Sequence, residues 1–170
     1  MPPILLIVGK SKVGKTTLIE KLVPELKRRG YKIGTIKHAH HGFEIDKKGK
    51  DSRRHQEAGA DTVIVASQGK IAMVKKDPWR SLENLTVYFQ DTDLIITEGF
   101  KRENKPKIEI FRAAAHKKPS CLDDEKLIAF VTDTEFNVKV PSFDLEDIER
   151  IADFIEHNIL GARLSVIGGK

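Results

Sequence analysis

Residues 4–22 read ILLIVGKSKVGKTTLIEKL, and the order of events in that stretch decides the fold. Ile4–Val8 is an unbroken apolar run without alternation, the pattern of a strand covered on both faces. It leads into GKSKVGKT, Gly9 to Thr16, which fits G-x-x-x-x-G-K-[ST]. Thr16 to Arg29 then carries Leu18, Leu22 and Leu26 at helical spacing and stops at Gly30, the expected residue after a helix C-terminus. Pro24 falls inside that helix and predicts a kink. Strand, glycine-bearing loop and helix in this order make a phosphate loop. A polyphosphate needs several converging main-chain N–H donors, and the helix N-terminus behind them adds positive dipole. Gly9, Lys12, Val13, Gly14, Lys15, Thr16 and Thr17 are the nucleotide-binding candidates, with the Lys15 ammonium against the β/γ-phosphates and the Thr16 hydroxyl toward Mg²⁺.

Working outward, further apolar runs predict buried strands at Ile33–Ile36, Leu94–Thr97, Ile108–Phe111 and Leu127–Val131. DTVIVASQGKIAMVKK reads as a hairpin turning at Ser67–Lys70. Ile148, Ile151, Ala152, Ile155 and Ile159 form one helical stripe within about 145–160, with Asp144 as the expected N-cap and Gly161 as the stop. Strands alternating with helices predict a three-layer α/β fold of the P-loop NTPase class: a mainly parallel sheet flanked by helices, with a β-hairpin excursion. The 170 residues have the length of one domain, and RAAAHKKPS, residues 112–120, is a candidate mobile loop.

Composition narrows the function classes. No apolar run approaches the roughly 18 residues of a membrane span, and no secretory signal is expected. A single cysteine, Cys121, excludes a disulfide framework and a thiolate zinc cluster and favours a reducing cytoplasm. Net charge is +5, yet residues 144–157 hold six acids against one base, so the rest of the chain carries +10. A basic body suits phosphate-bearing partners. The phosphate loop makes that partner a nucleotide, with neither nucleic acid nor membrane expected.

A magnesium–nucleotide site usually needs a carboxylate. DTDLIITEGFK offers Asp91, Asp93 and Glu98. Ligands of parallel sheets sit beyond the carboxyl ends of the strands. Asp93 precedes its strand and lies about 16 Å from the far end. Glu98 is therefore the candidate carboxylate, and Gly99 a candidate N–H donor to the γ-phosphate.

Taken together, GKSKVGKTTL, IKHAHHGFEIDKKGKDSRRHQEAGA, DLIITEGFK and VPSFDLEDIERIADFI resemble, in order and from about residue 4 to 160, the MobB family of molybdopterin-guanine dinucleotide biosynthesis adapter proteins. The resemblance implies a dimeric P-loop GTPase that binds GTP with Mg²⁺ and hydrolyses it slowly. It also implies a homodimer that assists the guanylyltransferase MobA, which attaches GMP to molybdopterin. The family block usually reads H-x-H-H-D and D-K-P-G-K-D-S; here Gly42 replaces the Asp and Lys48 the Pro. Lys10 resembles the extra lysine of K-G-G-x-G-K-[ST] loops that reaches a nucleotide across a dimer, although Ser11 and Lys12 replace the glycines.

His38, His40 and His41 stand just beyond the second strand. Zinc needs three or four ligands, and neither Gly42 nor the distant Cys121 supplies one. The expected reading is a switch-like loop that lines the γ-phosphate or meets the partner, against an ordinary surface cluster. By analogy with related GTPases, Asp46 approaches Mg²⁺ through water, with Asp51 as the alternate. Guanine presents N1–H and N2–H, which one carboxylate accepts together. Asp133, after the strand that ends at Val131, is the candidate, without an N-K-x-D motif and against a turn-forming aspartate. Two other classes compete: a P-loop small-molecule kinase, which wants an arginine-bearing lid that SRRHQ supplies in the wrong place, and a nickel-delivery GTPase, which wants a cleaner metal site.

Overall fold

The computed structural model describes residues 1–39, 42–46, 49–76 and 81–161. They form two compact units, Met1–His38 with Thr86 onward, and Ala39–Leu85.

In the larger unit the apolar runs become the strands of one sheet. In chain order these are β1 (Ile4–Val8), β2 (Ile33–Lys37), β5 (Leu94–Glu98), β6 (Lys107–Phe111), β7 (Leu127–Thr132) and β8 (Ser142–Asp144). Their spatial order is β2-β5-β1-β6-β7-β8, and every neighbouring pair is parallel. All carboxyl ends therefore point the same way. The phosphate-loop strand β1 lies between β5 and β6, which is why its five residues are all buried.

One face of the sheet is covered by α1 (Lys15–Arg28) and α4 (Ile148–Ile155). Leu18, Leu22 and Leu26 of α1, with Ile151, Ala152 and Ile155 of α4, pack on Leu5, Ile7, Ile96, Ile108, Ala129 and Val131. Each such leucine contributes about 1.5–3 kcal/mol through removal from water. The helix α1 runs through Pro24 as one 14-residue element. Proline offers no N–H to the Glu20 carbonyl, and Glu20 is exposed, where water can replace that donor. Gly30 closes α1 at φ 91°, the left-handed conformation expected after its C-cap.

The opposite face carries the alternate residues of β6 and β7. There Phe111 and Phe130 cluster with Phe136. Lys107 and Glu109 are buried beside them, each paired. Lys107 Nζ donates to the Lys101 and Glu103 carbonyls and to Asp124 Oδ2, while Glu109 accepts the Ser120 and Cys121 N–H groups. A 3₁₀ turn, Thr86–Phe89, brings Phe89 over Gly34 so closely that no Cβ fits there.

The expected start of the last helix needs correction. Asp144 does not cap α4; it ends the short strand β8, and its Oδ1 accepts the Glu146 N–H, making a turn that delays the helix. The N-cap is Asp147, and beyond Ile155 the helix widens into a π turn, Glu156–Leu160, before Gly161. β8 itself goes unannounced in the sequence, being three residues long.

The smaller unit holds α2 (Asp51–Glu57), the hairpin β3 (Thr62–Ser67) and β4 (Lys70–Lys75), and the single turn α3 (Leu82–Leu85). The hairpin turns at Ser67 and Lys70 as read. A cavity of about 340 Å³ is lined by Ile45, Asp46, Gln56, Val63, Val65 and Val74, among others. Among the described residues no helix is long and apolar enough to cross a membrane.

Candidate functional site

The loop between β1 and α1 is shaped by backbone constraints that the sequence meets with glycine at two places. Gly9 sits at φ 138°, and a Cβ there would collide with the Ile110 carbonyl. Gly14, at φ 99°, is the N-cap of α1, and its carbonyl accepts the Leu18 N–H at 2.9 Å. The amides of Lys15, Thr16 and Thr17 open the helix and have no intrahelical acceptor. Lys12 also adopts a left-handed φ of 64°. A lysine pays about 1–2 kcal/mol for that conformation, and strain of this kind gathers at functional loops.

Lys15 spans the loop. Its Nζ donates to the Gly9 and Lys10 carbonyls at 3.0 and 2.7 Å. Burial lowers its pKa below the ordinary 10.5, Glu98 opposes that shift, and Lys37 adds to it.

Glu98 ends β5 next to the loop, since its register partner in β1 is Ile7. Thr16 Oγ1 donates to Glu98 Oε2 at 2.9 Å, and Lys37 Nζ lies 3.3 Å from the same oxygen. Asp93 sits at the opposite end of the strand, where its carboxylate accepts the Lys32 N–H at 2.7 Å. A hydroxyl and a carboxylate side by side are the hard oxygen donors that Mg²⁺ prefers. The fold thus joins Lys15, Thr16 and Glu98 in one place.

Gly99 plays a different part from the one expected. Its N–H donates to the Ile7 carbonyl at 3.0 Å, which ties β5 to β1 and leaves that amide committed to the sheet rather than to a phosphate.

Comparison of the sequence with known proteins settles the family. A family model described as "Molybdopterin guanine dinucleotide synthesis protein B", MobB, matches residues 4–133. The chain belongs to the MobB family. It is 42% identical to the Escherichia coli molybdopterin-guanine dinucleotide biosynthesis adapter protein over 163 residues, covering 91% of this chain and 92% of that protein. The Haemophilus influenzae protein of the same name is 42% identical over 167 residues, covering 95% and 93%. Among solved structures, Bacillus subtilis MobB superposes with a TM-score of 0.77 at 28% identity, covering 94% of this chain and 99% of that one. The fold read from the sequence is the fold of this MobB structure.

Other expected site residues of this MobB chain are placed as follows. Asp133 lies just past β7, and its Oδ1 accepts the Ala113 N–H at 3.4 Å, beside the end of β6. The His38 N–H extends the β2–β5 ladder to the Glu98 carbonyl at 3.1 Å, and its ring stacks on Phe100 at 4.6 Å. His40 and His41 lie outside the described residues. Asp46 and Asp51 belong to the smaller unit, where Gln56 Nε2 lies 3.4 Å from Asp46 and Arg54 lies 3.7 Å from Asp51. Among the described residues no three His, Cys, Asp or Glu side chains converge to hold a metal ion.

Three features escaped sequence reading. Lys37 reaches Glu98 because β2 runs one residue longer than its apolar run, in register Lys37↔Glu98; a basic residue closing a strand beside an acidic one was the available signal. Residues 112–120 carry no helix or strand but lie against the phosphate loop. His116 Nε2 donates to the Ser11 carbonyl at 2.7 Å, and Lys10 Nζ donates to the Lys118 carbonyl at 2.7 Å. Lys10, the candidate for a role across a dimer, is engaged within its own chain here. The third feature is Arg112, whose Nε and Nη2 lie 3.9 Å from the position of a Cβ on Gly14.

Proposed function

We propose that this chain is a GTP-binding adapter in molybdopterin guanine dinucleotide synthesis, a homodimer with slow Mg²⁺-dependent GTP hydrolysis that assists the guanylyltransferase MobA. Membership of the MobB family supports the pathway. The observation that carries the nucleotide part is the meeting of Lys15, Thr16 and Glu98 at the start of α1. A triphosphate would lie along the loop amides with Lys15 against its β/γ-phosphates. Mg²⁺ would take the Thr16 hydroxyl and, directly or through water, Glu98. Asp133, three strands along the same edge from the Glu98 strand, would accept the guanine N1–H and N2–H. Such a donor–acceptor match discriminates strongly, because adenine leaves the carboxylate unpaired. P-loop sites work mainly by positioning and electrostatics, which suits slow turnover by a protein whose main task is to present a nucleotide or meet a partner.

The test is sedimentation of the chain with purified MobA, with and without Mg²⁺·GTP, alongside the rate of GTP hydrolysis. A complex of the two proteins together with slow, Mg²⁺-dependent release of phosphate is the expected result. Absence of both would remove the proposal, and phosphate transfer to an added metabolite would replace it with a kinase.

A further inference from the structure

Among the described residues, two buried side-chain polar atoms lack a hydrogen-bond partner, Thr97 Oγ1 and Arg112 Nε. The arginine is the more consequential, because a buried charged donor without an acceptor is costly and native chains rarely keep one idle. Its position explains where an acceptor would come from. Arg112 directly follows β6, the strand between β1, which leads into the phosphate loop, and β7, which leads to Asp133. The guanidinium lies over Gly14, 3.9 Å from where a Cβ would stand, so the bare glycine leaves its face of the loop open to the arginine. The segment that follows is pinned to the loop by His116 on Ser11 and by Lys10 on Lys118. Its first amide beyond Arg112, Ala113 N–H, points at Asp133. The guanidinium is therefore held at the rim of the phosphate loop rather than trailing from a free strand.

We propose that Arg112 is a phosphate-binding residue of this site, a guanidinium supplied from within the chain whose Nε–H takes a polyphosphate oxygen of the bound nucleotide. The inference rests on the nucleotide reading above and adds a second fixed cation to Lys15. Chemistry favours arginine there: its planar fork matches phosphate oxygens, keeps its charge at any physiological pH, and is more weakly hydrated than an ammonium group.

The experiment compares the parent chain with Arg112→Ala and Arg112→Lys, titrating each with Mg²⁺·GTP, with inorganic tripolyphosphate and with guanosine, and recording circular dichroism as a check on folding. Arg112→Ala is expected to weaken GTP and tripolyphosphate alike by about 10- to 100-fold, the scale of a lost charged hydrogen bond. Arg112→Lys should fall between it and the parent, and it carries the test if the alanine variant does not fold. Guanosine binding should be unchanged. Equal tripolyphosphate affinity in all three proteins would overturn the assignment while leaving the nucleotide reading intact. A parent chain that binds neither GTP nor tripolyphosphate would overturn both.

Discussion

Glu98 Oε2 has the Thr16 hydroxyl at 2.9 Å and the Lys37 ammonium at 3.3 Å. The hydroxyl and the ammonium both meet the carboxylate charge that a divalent cation would use. Glu98→Gln keeps the shape and removes that charge. The magnesium-dependent part of GTP affinity should then fall by about 10- to 100-fold, as it does when groups that orient or hold a metal are removed. Affinity measured in chelator should stay where it was. Titrations with and without Mg²⁺ decide the point, and an unchanged magnesium dependence would assign Glu98 a purely structural role. Asp133 belongs to the same scale. Asp133→Asn replaces an acceptor oxygen with a donor, so the preference for GTP over ATP should drop at least about tenfold. A variant that keeps the parent's preference would move base recognition elsewhere. Much at this scale was legible in advance. The loop motif marks Lys15 and Thr16, and the polarity of a parallel sheet puts Glu98 beside them and Asp93 at the other end, as the structure places them. Arg112 and Lys37 were harder to find: the pairing of Lys37 with Glu98 depends on the order of strands, with only a basic residue at a strand end as a signal, and nothing local marks Arg112. The Gly99 amide was misread for a related reason: whether an N–H is free depends on the strand beside it.

Between elements, the joint of α1 and α4 gathers charge. Arg29 donates to Glu25 at 2.7 Å and to Asp153 at 2.6 Å, and it also bonds Glu156. Glu25 receives Arg28 as well, at 2.7 and 2.9 Å. The bonds from Arg28 and Arg29 hold the Glu25 carboxyl down to about 2 from its ordinary 4.5, with burial opposing. A carboxyl depressed in the folded state stabilises it fully above its unfolded pKa, and that contribution fades as pH falls toward the folded one. The stability tied to Glu25 is thus complete above about pH 4.5 and lost between there and about pH 2. Glu25→Gln should therefore lose less melting temperature than the parent between about pH 7 and about pH 3. Melting curves that shift in parallel for both proteins would contradict this. Element types and most boundaries followed from periodicity, as Leu18, Leu22 and Leu26 illustrate. The start of α4 did not, because Asp144 can serve a turn or a cap, and the neighbouring Glu146 amide decides which. Lys107 and Glu109 show a further limit. Lys107 falls just outside the apolar run that was read and Glu109 inside it, yet both are buried, since loop carbonyls before β6 and loop amides after it satisfy them.

For the whole molecule, one parallel sheet points six carboxyl ends at a common edge, and the candidate nucleotide residues of the larger unit lie along it. Lys15 and Thr16 follow β1, Glu98 closes β5, Arg112 follows β6 and Asp133 follows β7. The order of strands thus sets the residues proposed for phosphate, metal and base recognition side by side, and a sequence that spreads them over more than a hundred positions delivers them to one edge. The smaller unit, with its hairpin and its 340 Å³ cavity, adds a second surface to the same chain. The central claim concerns that edge, and calorimetric titration of the purified chain with GTP in Mg²⁺, against ATP in the same buffer, tests it most directly. Saturable binding of GTP, tighter than ATP and weakened by removing Mg²⁺, is the predicted result. Heats no larger than dilution for both nucleotides at millimolar concentration would contradict it.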